Sequence, residues 1–448
     1  MAILLVGFLV LSLTGNVFPL FNVVSILGLF PLRLFWSKSV TADLYLRPTA
    51  AIRFLLAAYA FWITSYLLTT APVSNLFSYD FLRFNGAIFV GYLPLLLLND
   101  VGLSSRIVYR LIWMYLSILA GVALFGAALL LILALTGNLL FGLNILKSFV
   151  SLESGHEMPV MLQGLYRTHM TTGNLYALAA LMMLCFILRI KKPKLISWES
   201  LVLVSLLAAL ILSGARTAYV AFAATFLIQF VRKKNAKHLL KISALFLVPV
   251  LVFCLSQPGI ISRMSSIINY DSDSNVQERL RLYRQALGEF SDSPLIGVGF
   301  GRFDNSGKTY FGVRHLFYIA TTGKMVGNVE NLNEAHDSYL QFLAEGGLVG
   351  LVLMLGVWVA TYRWAGCMRL LFRDKSKAGA LCDAVQASVL LTLFSSITGT
   401  TMMMATTPLF VFTMVGLLRN VAASEYKAMI VRSTLLNAAT GLPNPGTA

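Results

Sequence analysis

The chain has 448 residues, of which 58% are hydrophobic and 12% charged, and its mean hydropathy is +0.77. Soluble domains devote about a quarter of their residues to charge, so the composition argues against a soluble multidomain enzyme. A formal net charge of +16 suits a nucleic-acid binder only if the basic residues share a wet face, and their placement along the chain shows otherwise.

A bilayer's hydrocarbon core, about 30 Å thick, takes roughly 17–25 apolar residues to cross as a helix. Apolar runs near that length lie at 17–36, 51–70, 84–99, 111–137, 171–190, 196–213, 216–231, 239–256, 345–363, 381–400 and 406–420. A shorter run, 2–14, precedes them across the turn-like Thr14-Gly15-Asn16. It lacks the basic start of a signal peptide and reads as the first arm of a retained hairpin. The expectation is an all-α integral membrane protein of about twelve transmembrane helices.

Basic residues collect in alternate connections, among them Lys38, Arg106, Arg110, Lys191, Lys192, Lys194, Arg232, Lys233, Lys234, Lys237, Arg373 and Lys377. Cytoplasmic loops retain Lys and Arg, so this side is read as cytoplasmic and the other as external. The net charge is then a topological signal, and no nucleic-acid partner is needed. Six stretches follow: 1–137, helices 1–5; 138–170, a first external loop; 171–256, helices 6–9; 257–344, a large external loop; 345–420, helices 10–12; and 421–448, a cytoplasmic tail. Cys185, Cys254, Cys367 and Cys382 all fall in spans or on the cytoplasmic side without CxxC spacing, which argues against an external disulfide framework or a thiolate metal site.

The loop 257–344 is too long to be filler. Within it, QERLRLYRQALGEF places Leu280, Tyr283, Leu287 and Phe290 at helical spacing, beside Arg279, Arg281 and Arg284. A Pro/Gly-rich turn region, SDSPLIGVGFGRF, comes next. The loop closes on NLNEAHDSYLQFLAEGG, read as a helix that feeds the tenth span. Ionisable residues in the spans sit near their ends (Arg53, Glu199 and Asp383 at cytoplasmic ends, Arg216 at an external one). That distribution counts against a proton- or sodium-coupled carrier and directs attention to the outer face.

Four features there could carry chemistry. Arg216, in LSGARTAY, occupies a tight external turn; it is either a snorkelling arginine or a bidentate ligand for a lipid-linked phosphate. In YRTHMTTGNLYALAAL, Arg167 stands at the outer boundary before the sixth span, with Thr172 and Asn174 read as helix caps. Arg279, Arg281 and Arg284 line the external helix, either as a solvated face or as a clamp on a pyrophosphate. The GVGFG spacing at 297–301 is that of a weak phosphate cradle without a dinucleotide context. His336 begins the final helix; the positive end of the helix dipole disfavours imidazolium, which suits a general base. The external carboxylates, Asp271 and Asp273 included, form no cluster placed to hold Mg²⁺ or Mn²⁺.

Several segments resemble the O-antigen ligase and polymerase superfamily. HDSYLQFLAEGGLVGL is similar to its His-Asn-x-Tyr-Leu…Glu-x-Gly-Leu-x-Gly signature, and QERLRLYRQALGEFSDSPLIGVGFGRF to its Arg…aromatic…Ala-Leu…Pro-Leu-x-Gly-x-Gly segment. LSGARTA resembles its Ser-x-Arg-Thr turn, and YRTHMTTGNLYALA its Arg…Gly…Asn-x-x-Ala helix. The resemblance covers about 160–365. It implies a metal-independent membrane glycosyltransferase without cofactor, using an undecaprenyl-diphosphate-linked glycan as donor at the periplasmic face of the bacterial inner membrane. Arg216 and Arg279 would bind the donor pyrophosphate with Arg167 and Arg281 as helpers, and His336 would activate the acceptor hydroxyl. A ligase, whose acceptor is lipid A-core oligosaccharide, is favoured over a polymerase, whose acceptor is a second lipid-linked glycan. A flippase or transporter is the alternative from another class; the inverted repeats and broken mid-membrane helices it requires are not visible in the sequence. Two positions depart from the family pattern: Asp337 for Asn, expected to raise the pKa of His336, and Tyr283 for Trp.

Overall fold

Apolar segments in a bilayer must satisfy their own backbone, and this chain does so as helices. The computed structural model describes residues 47–70, 86–98, 103–135, 150–151, 161–162, 169–189, 197–230, 274–300, 303, 335–372, 376–404 and 406–440. Nine of the twelve expected spans fall on helices within these residues: α1 (Thr49–Thr70), α2 (Gly86–Leu97), α3 (Ser105–Leu135), α4 (His169–Arg189), α5 (Trp198–Leu212), α6 (Arg216–Phe230), α8 (Ser338–Leu371), α9 (Lys377–Ser395) and α10 (Thr406–Thr440). The other three, 2–14, 17–36 and 239–256, lie outside the described residues. Helices α3, α4, α8, α9 and α10 are long and apolar enough to cross a membrane. Among the described residues, strand is confined to a two-residue antiparallel pair, Val150–Ser151 with Met161–Leu162, in the first expected loop.

Helix α4 runs through the centre, buried from Thr171 to Ile187, and packs against α9, α5 and α6. Small residues allow that approach, as they do between membrane helices generally: Ala177, Ala179 and Ala180 on α4 are fully buried, as are Ala380, Ala384 and Ala387 on α9. At Gly173 a Cβ would stand 2.4 Å from the Ala215 Cβ, so the start of α4 is seated against the turn joining α5 to α6. Two expected spans have different ends. The 381–400 segment stops being helical at Ser395 and gives way to a turn through Met404, while the last helix continues to Thr440, well past the expected span end at 420.

The helix expected within 257–344 is present as α7 (Ser274–Asp292) and packs on α8. Helix α8 is interrupted at Gly347, whose backbone has φ 59° and ψ −162°. An unbroken helix would pair the Leu348 and Val349 amides with the Ala344 and Glu345 carbonyls. Here the turn after α7 takes both halves of that pairing. Val298 and Gly299 donate to the Ala344 and Glu345 carbonyls at 2.9 and 3.0 Å, while Leu348 and Val349 donate to the Pro294 and Leu295 carbonyls at 2.9 and 3.2 Å. Two helical bonds become four, so the break leaves no orphan groups.

Such contact requires bare backbone on both sides. A Cβ at Gly297 (φ 69°) would lie 2.3 Å from the Glu345 carbonyl carbon, and one at Gly347 would lie 2.4 Å from that of Leu295. The PLIGVG and EGGLVG motifs are therefore one structural unit. Trp62 of α1 stacks beneath it, 4.7 Å from Phe300 and 6.2 Å from Phe342 between ring centroids.

The broken helix differs from what a transporter would supply, because its gap is filled by backbone of the same chain rather than left open to an ion. Gly347→Ala or Gly297→Ala combines backbone collision with a left-handed φ, and should cost about 4 kcal/mol or more. Gly288→Ala, at an open position on α7, should be neutral or stabilising by up to about 1 kcal/mol. Thermal unfolding of the three detergent-solubilised variants, followed by size-exclusion recovery, checks the contrast.

Candidate functional site

The chain reaches His336 from a small core in which Leu282 and Ala286 of α7 meet Phe303, Ala335 and Ala344. His336 then adopts φ 53°, the one left-handed non-glycine residue among those described. A histidine there is strained by about 1–3 kcal/mol and persists only where its surroundings over-determine it.

They do so on both sides. Before it, the Ala335 amide donates to Gln341 Oε1, and Gln341 Nε2 donates to the buried Glu345 Oε1 at 2.8 Å. After it, Asp337 caps α8, its carboxylate accepting from the Tyr339 and Leu340 amides at 2.8 and 2.9 Å. Ser338 follows, donating through its amide to the Ser396 carbonyl and through Oγ to the Gly399 carbonyl, both at 2.9 Å.

The turn that receives Ser338, residues 396–404, gathers four of the other helices. Thr398 pairs its hydroxyl with that of Thr217 at 3.2 Å, Asn174 donates to Thr401 at 3.3 Å, and Thr171 donates to Met404 Sδ at 3.4 Å. From α2, Tyr92 donates to the Met402 carbonyl at 3.0 Å while accepting from Trp358. Thr171, Thr172 and Asn174 therefore lie inside α4, which starts at His169. The capping role expected for Thr172 and Asn174 is replaced by burial, with Thr171 and Asn174 bonded to this turn, because the helix begins upstream of them.

Arg216 is the first residue of α6, where the positive end of the helix dipole favours an anion. Its neighbour Thr217 ties it through Thr398, Gly399 and Ser338 to the segment carrying His336. Arg167 lies outside the described residues. Arg279, on the α8-facing side of α7, acts electrostatically on His336, and so does Glu278. Arg281 points the other way: it is half-exposed and ion-paired with Glu278 at 2.6 Å, which holds the carboxyl below its ordinary range. Arg284 is exposed.

Burial holds the His336 pKa below that of a free imidazole, the Arg279 charge lowers it further, and Glu278 opposes both. The ring is thus neutral at neutral pH and one of its nitrogens accepts. The upward shift expected from Asp337 is corrected: the shift is downward, and the Asp337 carboxylate, turned into the helix N-terminus, is not among its causes. Burial raises the pKa of Asp337 itself, against the two amides it accepts from. Tyr283, where the family pattern has Trp, is half-buried between the charges of Asp337 and Arg279.

The phosphate cradle expected at 297–301 is also corrected for its described part. The amides of Gly297, Val298 and Gly299 donate to the carbonyls of Ser293, Ala344 and Glu345, so these three have no N–H left for a ligand. Sequence reasoning missed Glu278, Gln341, Glu345 and the whole 396–404 turn. The run Ser395-Ser396-Ile397-Thr398-Gly399-Thr400-Thr401 was a usable sign of that turn, since it interrupts the apolar segment. Among the described residues, no three His, Cys, Asp or Glu side chains converge to hold a metal ion.

The other end of the bundle carries a separate set of basic residues. Lys377 lies over the Tyr109 ring at 5.6 Å, beside Arg106 and Arg110 at the start of α3, and Arg369 pairs with the buried Asp383 at 3.2 Å. No curated protein sequence matches the chain. The family model described as O-antigen ligase matches residues 200–355, a segment that begins in α5 and spans Arg216, α7, His336 and the break in α8. Over that segment the chain is similar to the O-antigen ligase family.

Proposed function

We propose that the chain is an O-antigen ligase, a membrane glycosyltransferase moving a glycan from undecaprenyl diphosphate to a hydroxyl of lipid A-core oligosaccharide. The observation that carries this reading is a neutral, over-determined His336 held beside Arg279 at the bundle end that also presents Arg216. The match to the superfamily supports the general chemistry, and the charge pattern supports the orientation: the basic end in the cytoplasm of a bacterial inner membrane and the His336 end in the periplasm.

In this mechanism the acceptor oxygen attacks the anomeric carbon while its proton passes to His336. The bond from that carbon to the phosphate oxygen breaks, and the electron pair leaves with undecaprenyl diphosphate. Arg279 and Arg216 hold the growing negative charge, the role fixed cations play best in a water-poor site. Arg281, already engaged by Glu278, reinforces Arg279 from behind, and Arg167 completes the set. Donor binding also tunes the base. A diphosphate at Arg279 offsets the charge that depresses His336, so the imidazole gains basicity when there is a proton to take. This arrangement asks nothing of a metal or cofactor.

Two experiments test the reading. In a strain lacking the native gene, His336→Ala should fold and reach the membrane yet leave lipid A-core uncapped, with lipid-linked donor accumulating. A general base is worth about 10²–10⁴ in rate, enough for near-complete loss. Normal capping would remove His336 from the chemistry, while retention of single-repeat caps in cells depleted of the protein would move the assignment to a polymerase. In purified protein, activity needs neutral His336 and should fall as pH drops through its lowered pKa. Glu278→Gln removes the charge that raises that pKa, so the acid limb should move to lower pH. A limb that stays in place or moves upward contradicts the assigned base.

A further inference from the structure

Helix α7 has three longitudinal sectors rather than the two of a solvent-facing helix. Leu282 and Ala286 are buried against α8. Gln277, Arg281, Arg284 and Gly288 face outward on a polar sector. Between these sectors lies an apolar flank with Leu280 and Leu287, the latter 49% exposed, and the turn that follows adds Leu295 at 67% and Ile296 at 44%.

This flank is continuous with the lipid-facing side of a membrane helix. The same backbone bonds that fill the break in α8 place Pro294 and Leu295 against Leu348 and Val349. Those two begin a stripe of exposed apolar residues running along α8 through Val352 and Val359. Beyond the break, the arm of α8 from Leu348 to Leu371 is about 36 Å long at 1.5 Å per residue, enough by itself to cross about 30 Å of hydrocarbon. With that arm as the crossing segment, the Gly347 break falls near the boundary between headgroups and acyl chains.

We propose that α7 and the 294–296 turn form a monotopic element seated in the bilayer, with lipid acyl chains as the partner of Leu280, Leu287, Leu295 and Ile296. Arg284, exposed next to this flank, reaches the headgroups as interfacial arginines do. The seating fixes Arg279 at headgroup depth, the level at which a phosphate carried on a lipid lies. The proposal rests on the chain spanning a membrane and is independent of the transfer chemistry.

The test places a photo-crosslinking p-benzoylphenylalanine at 287 or 295 in the full-length chain, in nanodiscs of phosphatidylethanolamine and phosphatidylglycerol. Position 352 serves as the lipid-facing reference, and 277 and 288 as polar-sector references. After irradiation, intact-mass spectrometry should find lipid adducts at 287 and 295 as at 352, with loss of adducts at 277 and 288. Adducts at 352 alone would overturn the proposal, as would chain-to-chain products at 287 and 295, which would make the flank an interface between copies. Folding of each variant is checked by size exclusion, and Leu280 provides a further position on the same flank.

Discussion

Four backbone hydrogen bonds between the turn at 294–299 and the interrupted helix α8 hold the rest of the site in place. They are made by amides and carbonyls, so their geometry is fixed by the chain path and cannot be restored by another side chain. They require two glycines, Gly297 and Gly347, in left-handed conformations at backbone contact. Through them α7 is clamped along the first turns of α8, and the clamp brings Arg279 to His336. In a low-dielectric setting, where each unmatched polar group costs several kcal/mol, a reciprocal exchange of this kind is a sound way to break a membrane helix.

The second level of organisation is the 396–404 turn. It closes α9 and immediately receives hydrogen bonds from α2, α4 and α8 and pairs with the start of α6. Ser338 is common to the turn and to the segment bearing His336, and so links the strained histidine to the start of α6, where Arg216 stands. Strain at His336 is offset by the bonds of Ala335, Asp337 and Ser338 around it. The result is a site whose functional groups sit at element boundaries but whose backbone is as constrained as a core, the preorganisation that charge stabilisation in a transition state demands.

Much of this was legible in the sequence, and the remainder was not for physical reasons. Long apolar runs mark helices because a bilayer permits little else, so the nine described spans coincide with helices; α7 was visible from its 3.6-residue spacing. Glycine spacing, in contrast, has no single meaning: at 297–299 it serves backbone contact with a helix far along the chain, and that partner is invisible locally. The effect of Asp337 was misjudged for a similar reason. Adjacency in sequence is not adjacency in field once the carboxylate has turned to cap α8. The 396–404 turn went unseen because apolarity outweighed its Ser, Thr and Gly content. Arg279 was singled out among three arginines for the pyrophosphate by the family pattern alone; the structure adds that its charge acts on His336, while Glu278 holds Arg281 on the exposed side.

The central claim is that His336 and Arg279 together drive glycan transfer, and reconstitution tests it most directly. Purified protein in liposomes is given undecaprenyl-diphosphate-linked glycan and lipid A-core in the presence of EDTA, and glycosylated lipid A-core is measured alongside released undecaprenyl diphosphate. One-for-one formation of the two products by the native chain, with none from a folded His336→Gln variant, is the expected result. Transfer by that variant at the native rate, or strict dependence of the native chain on a divalent cation, would contradict it.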